Sequence, residues 1–73
     1  MPKINSKRLH ELRERKVLTQ RELAELAEVG MTTIVRAEKG RGLATQKVIK
    51  KLAGALGVEP AELIEWDDER KTA

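Results

Sequence analysis

TQRELAELAEVGMTTIVRAEKG, residues 19–40, decides how this chain is read. Thr19 and Glu22 have the spacing of a capping box, in which the threonine hydroxyl accepts from the Glu22 amide and the Glu22 carboxylate accepts from the Thr19 amide. A helix therefore starts there, and Leu23, Ala24 and Ala27 fall on one side of it. The pattern lapses at Glu28, Val29 and Gly30, where a glycine interrupts the chain. Apolar spacing resumes at Met31, Ile34 and Ala37, and Gly40 is placed to close a second helix in a left-handed cap. Two short helices and a tight turn thus fill 22 residues.

Upstream, Asn5 or Ser6 can cap a helix that runs to about Lys16, with Leu9 and Leu12 inward and Lys7, Arg8, Glu11, Glu14 and Arg15 outward. Downstream, Gly40, Arg41 and Gly42 form a basic loop. Thr45 then caps a further helix with Val48, Ile49, Leu52, Ala53 and Leu56 inward and Lys47, Lys50 and Lys51 outward, and Gly57 ends it. Pro60, after Glu59, suits the first turn of a short fifth helix that contains Leu63 and Ile64. No strand alternation, hairpin signal or repeat is present. The expectation is an all-α, compact five-helix domain spanning 1–73, with its core at about 5–66 and a tail frayed from about Asp68.

A chain of 73 residues buries only about 60% of its unfolded surface, so its helices must share one small core. Cysteine is absent, which excludes disulfides and thiolate metal sites. No stretch reads as a signal peptide or membrane span, so a cytoplasmic protein, at the nucleoid when bound to DNA, with no membrane partner is expected. Trp66 is the sole aromatic residue, which disfavours readers that stack single-stranded bases. His10 is the sole histidine and on a surface helix reads as a solvated polar residue rather than a base or ligand. The acidic run Asp67, Asp68 and Glu69 lacks the glycine and spaced oxygens of a calcium loop. No catalytic residues, no metal and no cofactor are expected.

The net charge is +3, but it is unevenly distributed. Residues 1–21 carry seven basic and two acidic groups, and residues 39–51 carry five basic and none acidic. Residues 22–38 carry four acidic and one basic, and residues 52–73 six acidic and two basic. A positive face of this kind suits a phosphate backbone, because each neutralised phosphate releases counterion. Charge runs on solvated helix faces account for the same pattern equally well.

The second helix of the central pair sharpens the choice. Burying Ile34 and Ala37 against the second and fourth helices turns Thr32 and Arg36, four residues apart, together toward solvent. That is the arrangement of a helix-turn-helix. Arg36 can donate twice to guanine, Thr32 can bond several bases, and Met31 or Val35 can meet a thymine methyl. The plainer roles are core or partial exposure for Met31 and Val35, and a surface ion pair with Glu38 or a neighbour one turn back for Arg36.

Leu18-Thr19-Gln20, Glu22-Leu23-Ala24, Val29, Thr33-Ile34, Glu38 with Gly40, 52–58 (LAGALGV) and Glu62-Leu63 together resemble the phage repressor and Cro class, or Xre family, of helix-turn-helix regulators over about residues 6–64. The resemblance implies five helices with the third in the major groove of double-stranded DNA. It gives base-reading roles to Met31, Thr32 and Arg36, beside the thymine-methyl contact read above for Val35. It implies phosphate contacts for Gln20, which would also support the reading helix, and for Thr33, Lys39 and Arg41, with Lys7 and Lys47 as flanking contacts. It further implies a buried structural ion pair between Arg13 and Glu38. The chain departs from the pattern at Glu28 and Gly30, where the turn usually has glycine and then serine or threonine. It departs also at Val17, a common glycine position, and at Ala44, a common proline position. Either Glu28 adopts the left-handed backbone with strain or the turn is remodelled.

The function this implies is a sequence-specific regulator, a repressor by expectation, that binds a palindromic operator as a homodimer with half-sites about 34–36 Å apart. Val58, Leu63, Ile64 and Trp66 are candidate dimer contacts, with core capping the competing role for Trp66. The alternative is an antitoxin or small partner-binding module, whose acidic segment 59–69 covers a protein partner.

Overall fold

The computed structural model describes residues 3–40 and 45–65. Four α-helices, α1 (Ser6–Arg15), α2 (Gln20–Ala27), α3 (Met31–Glu38) and α4 (Gln46–Leu56), are followed by a single 3₁₀ turn, Pro60–Leu63. The architecture is all-helical, and the fifth element is a tighter turn than the α-helix expected from its sequence. Four residues behind a proline are too few to propagate an α-helix.

Side chains close the helix starts where the sequence places them. Asn5 accepts from the Arg8 amide at 3.1 Å, and Thr45 accepts from the Val48 amide at 3.3 Å. The Thr19 and Glu22 capping box is complete, at 3.0 and 2.8 Å. Leu9, Leu12, Leu23, Ala24, Ala27, Ile34, Ala37, Ile49, Leu52, Ala53, Leu56 and Leu63 are buried in one core, with Val48 partly buried against it. One expected contact differs: α3 packs mainly on α2 and α1, while α4 packs on α2 and the 3₁₀ turn. α1 fills the place against α3 that the sequence assigned to the fourth helix.

Ile4 joins this core although no helical pattern contains it. The Asn5 amide donates to the Leu63 carbonyl and the Glu65 amide to the Lys3 carbonyl, both at 2.8 Å, so that Ile4 and Ile64 form an isolated antiparallel bridge. The two ends of the domain are thereby tied together. Leu63 itself is fully buried, which corrects its candidacy as a dimer contact: the same side chain cannot fill the core and meet a second copy. Ile64 remains half-buried at the surface, beside a depression of about 250 Å³ lined with Gln46, Ile49, Lys50 and Pro60. Trp66 and the tail lie outside the described residues.

Three helices end in the same way. The residue after the last turn is left-handed, and the next amide reaches back five residues, as in Leu18 to Arg13, Val29 to Ala24 and Val58 to Ala53. Gly57 takes the left-handed position after α4 at φ 72°, but Val17 takes it after α1 at φ 54° and Glu28 after α2 at φ 58°. The turn therefore keeps its geometry with Glu28 in the strained backbone, and Gly30 is extended at φ −72° as the first cap residue of α3. Ala44 lies outside the described residues. A left-handed L-residue costs roughly 1–2 kcal/mol, partly offset by the extra freedom glycine has in the unfolded chain. Val17→Gly and Glu28→Gly are each expected to raise unfolding stability by up to about 1 kcal/mol, read as higher urea midpoints at unchanged slope. A lower midpoint would contradict the assignment of strain.

Candidate nucleic-acid interface

The outward face of α3 follows from its inward one. Ile34 and Ala37 are buried, so positions one turn apart on the opposite side, Thr32 and Arg36, are exposed. Met31, at 43% exposure, stands at the start of the same face, which settles its position as surface rather than core. Thr33 and Val35 are half-buried at the edges of the face, and Lys39 is exposed at its end. Among the described residues Arg36 makes no ion pair and no side-chain hydrogen bond. Lys7 and Lys47 are exposed, Lys7 in the first turn of α1 and Lys47 in the first turn of α4. Arg41 lies outside the described residues.

What fixes α3 is a polar cluster at its last residue. The Glu38 side chain is only 7% exposed and Arg13 12%. Arg13 Nε donates to Glu38 Oε2 at 2.5 Å and Nη2 to Oε1 at 3.1 Å, the paired geometry in which arginine binds carboxylate. Its Nη1 donates to the Leu18 carbonyl at 2.7 Å, so one guanidinium ties α1 both to α3 and to the turn before α2. Burial pushes the Glu38 carboxyl up. Hydrogen bonds from Arg13, His10 and Gln20, with the charge of Arg13, outweigh that and hold it below the usual carboxylate value. The bond to Glu38 raises Arg13 in turn, against its own partial burial.

Gln20 and His10 are placed less simply than their sequence suggests. Gln20 Nε2 donates to Glu38 Oε1 at 3.2 Å, so its amide is anchored beside the end of α3. His10 is not merely solvated. Its Nδ1 lies 3.2 Å from Glu38 Oε1 and its Nε2 lies 3.3 Å from Glu14 Oε2. No local pattern announces a contact 28 residues apart in sequence. The spacing of His10 and Arg13 did put both on one face of α1, and that is the signal available for it.

The arrangement is a helix with a solvent-facing row of base-compatible side chains, a hydrogen-bonded brace at its C-terminus and Lys39 exposed just beyond it. Comparison with known proteins agrees. The family model described as "Helix-turn-helix" matches residues 9–63. The restriction-modification controller protein C.AhdI from Aeromonas hydrophila is 38% identical, with a TM-score of 0.74 over 78% of this chain and 86% of that one. A hypothetical transcription factor, NHTF, from Neisseria is 28% identical, with a TM-score of 0.76 over 92% of this chain and 77% of that one. None of the curated proteins compared matches the sequence. Among the described residues no helix is long and apolar enough to cross a membrane. With its matched core, its capped α2–α3 turn and its outward-facing α3, this chain belongs to the helix-turn-helix family, in the Xre-like class of DNA-binding transcriptional regulators.

Proposed function

We propose that the protein is a sequence-specific repressor that binds a palindromic operator as a homodimer, with α3 in the major groove of each half-site. The carrying observation is the pairing of Thr32 and Arg36, one turn apart and exposed, on a helix whose opposite face is locked in the core. Arg36 reads guanine through two donors, Thr32 bonds an adjacent base, and Met31 and Val35 meet thymine methyls. Gln20, Thr33, Lys7, Lys39, Arg41 and Lys47 take phosphates. One α3 spans only a half-site, so a second copy doubles the contacts and sets the spacing. Val58 and Ile64, both half-buried, are the described candidates left for the contact between copies. Occupancy of the site by the dimer excludes other proteins from it, which is sufficient for repression. The likeness to C.AhdI, a restriction-modification controller protein, and to NHTF, a hypothetical transcription factor, favours this reading.

The test is selection from a randomised duplex library followed by affinity measurement on the recovered sequence at several salt concentrations. Arg36→Ala is expected to weaken that duplex by about 1–3 kcal/mol and to relax preference at one base pair. Lys39→Ala is expected to weaken all duplexes alike and to reduce the salt slope by about one. Equal loss on every sequence for Arg36→Ala removes its reading role, and the absence of salt-dependent affinity for any duplex removes the function.

A further inference from the structure

Glu38 Oε1 is crowded. It accepts from Arg13 Nη2 at 3.1 Å and from Gln20 Nε2 at 3.2 Å, and His10 Nδ1 lies 3.2 Å away. The same Nδ1 lies 3.1 Å from Arg13 Nη2. These distances fit two protonation states with different hydrogen bonds, the neutral ring being taken as the Nε2–H tautomer because Arg13 Nη2 and Glu14 Oε2 then both find partners. With Nδ1 unprotonated, the ring accepts from Arg13 Nη2, its Nε2–H donates to Glu14, and it only abuts Oε1, lone pair against lone pair. Oε1 then serves Arg13 and Gln20. With Nδ1 protonated, the ring donates to Oε1 and to Glu14 at once and no longer accepts from Arg13. Oε1 then faces three donors with two lone pairs, and the neutral Gln20 amide is the weakest beside two cations.

We propose that His10 is a positioning residue, acting through Glu38, whose protonation releases the Gln20 side-chain amide from Glu38 and frees it to bond an anion at the start of α2. On the functional reading above, from which only the identity of the anion is taken, that anion is a DNA phosphate, and acidification strengthens DNA binding through Gln20. Among the described residues the charged groups around the ring are few. Arg13 and Glu14 face it from α1, and Glu38 faces it from α3. α2 contributes only the neutral Gln20, through Glu38. Glu62 of the 3₁₀ turn, which also packs on α1, is held by Arg8 at 2.9 Å. Histidine changes charge between about pH 5 and 8, where no other side chain type does so without strong perturbation.

The free protein supplies the first test. The nitrogen-15 resonances of the Gln20 side-chain amide are followed by NMR from about pH 8 to about pH 5 beside those of the His10 ring. The amide is expected to shift with the midpoint of the ring and to stay flat in His10→Gln, which keeps polar contacts but does not titrate. An amide that stays flat while His10 titrates, or that moves equally in His10→Gln, overturns the proposal.

The second test uses the library-selected duplex and fluorescence anisotropy. Lowering the pH from about 8 to about 6 is expected to tighten binding roughly three- to tenfold more for the wild type than for His10→Gln or Gln20→Ala, the worth of one hydrogen bond. Identical pH profiles for wild type and His10→Gln overturn it. An amide that tracks His10 while no duplex binds at any pH upholds the coupling and removes the DNA reading instead.

Discussion

Arg13→Ala is expected to lower unfolding stability by about 2–4 kcal/mol, a large share of what a domain this small possesses. The substitution does more than remove a charge. Glu38, 7% exposed, keeps a carboxylate in a site built for a guanidinium, and the Leu18 carbonyl loses its 2.7 Å donor. A nearly buried charge without its main partner costs far more than an exposed pair contributes. The sign of the pH dependence follows from Glu38, whose carboxyl lies below its ordinary value in the folded protein. The stability it contributes is fully present above the unfolded-chain value near 4.3 and is lost as pH falls through the lower folded value. The gap between wild type and Arg13→Ala should therefore be widest near neutrality and should narrow below about pH 4. Urea unfolding across that range measures it. A double-mutant cycle with Glu38→Gln should give a coupling above about 1 kcal/mol. A loss under about 1 kcal/mol with no pH dependence would place the pair among ordinary surface salt bridges.

The parts of this molecule that were legible in its sequence are those governed by neighbours in the chain. The caps at Asn5, Thr19 and Thr45 and the helical stripes of leucine and isoleucine depend on spacings of three and four residues, which periodicity reports directly. The inward turn of Ile34 and Ala37, and hence the outward turn of Thr32 and Arg36, is of the same kind. Ile4 was missed although a signal existed. It precedes the Asn5 cap as Leu9 follows four residues into the helix, the spacing of a hydrophobic staple, and both lie in the core. Leu18 and Leu23 repeat that spacing around the Thr19 cap.

What was not legible depends on contacts distant in sequence. His10 looked solvated because the Glu38 carboxylate that faces it belongs to another helix. Gln20 reads as a phosphate ligand that also supports the reading helix, but nothing local shows that its amide is bonded to Glu38. Neither the place of α1 against α3 nor the bridge between Ile4 and Ile64 has a periodic signature. The turn lies between these cases. Val17 and Glu28 depart from the glycine that left-handed backbone favours, and the sequence left strain and remodelling open. The hydrogen bonds from Leu18 to Arg13 and from Val29 to Ala24 are made regardless, so helix-end geometry prevails over residue preference at both sites. α3 is seated on α1 and α2 with the turn in the left-handed helix-end geometry despite the identity of its residue.

Leu63→Ala is expected to be the other severe substitution, at about 2–5 kcal/mol. Leu63 is fully buried where the 3₁₀ turn meets α1 and α4, and its carbonyl accepts from the Asn5 amide. Removing the side chain leaves a cavity at the point where the two ends of the domain are joined, and the surrounding turn is too short to collapse into it. Because so large a loss can unfold the chain outright, Leu63→Met is the informative companion. It conserves volume and is expected to cost under about 1.5 kcal/mol. If the protein is the homodimer proposed above and Leu63 serves the core alone, the folded Leu63→Met protein should self-associate to the wild-type extent in sedimentation, while Ile64→Asp, at a half-buried surface position, should weaken association with a smaller loss of stability. A Leu63→Met variant that unfolds as easily as wild type but no longer self-associates would return Leu63 to the contact between copies. The burial of Leu63 argues against that result, because a side chain with no surface in the single chain has none to offer a second one.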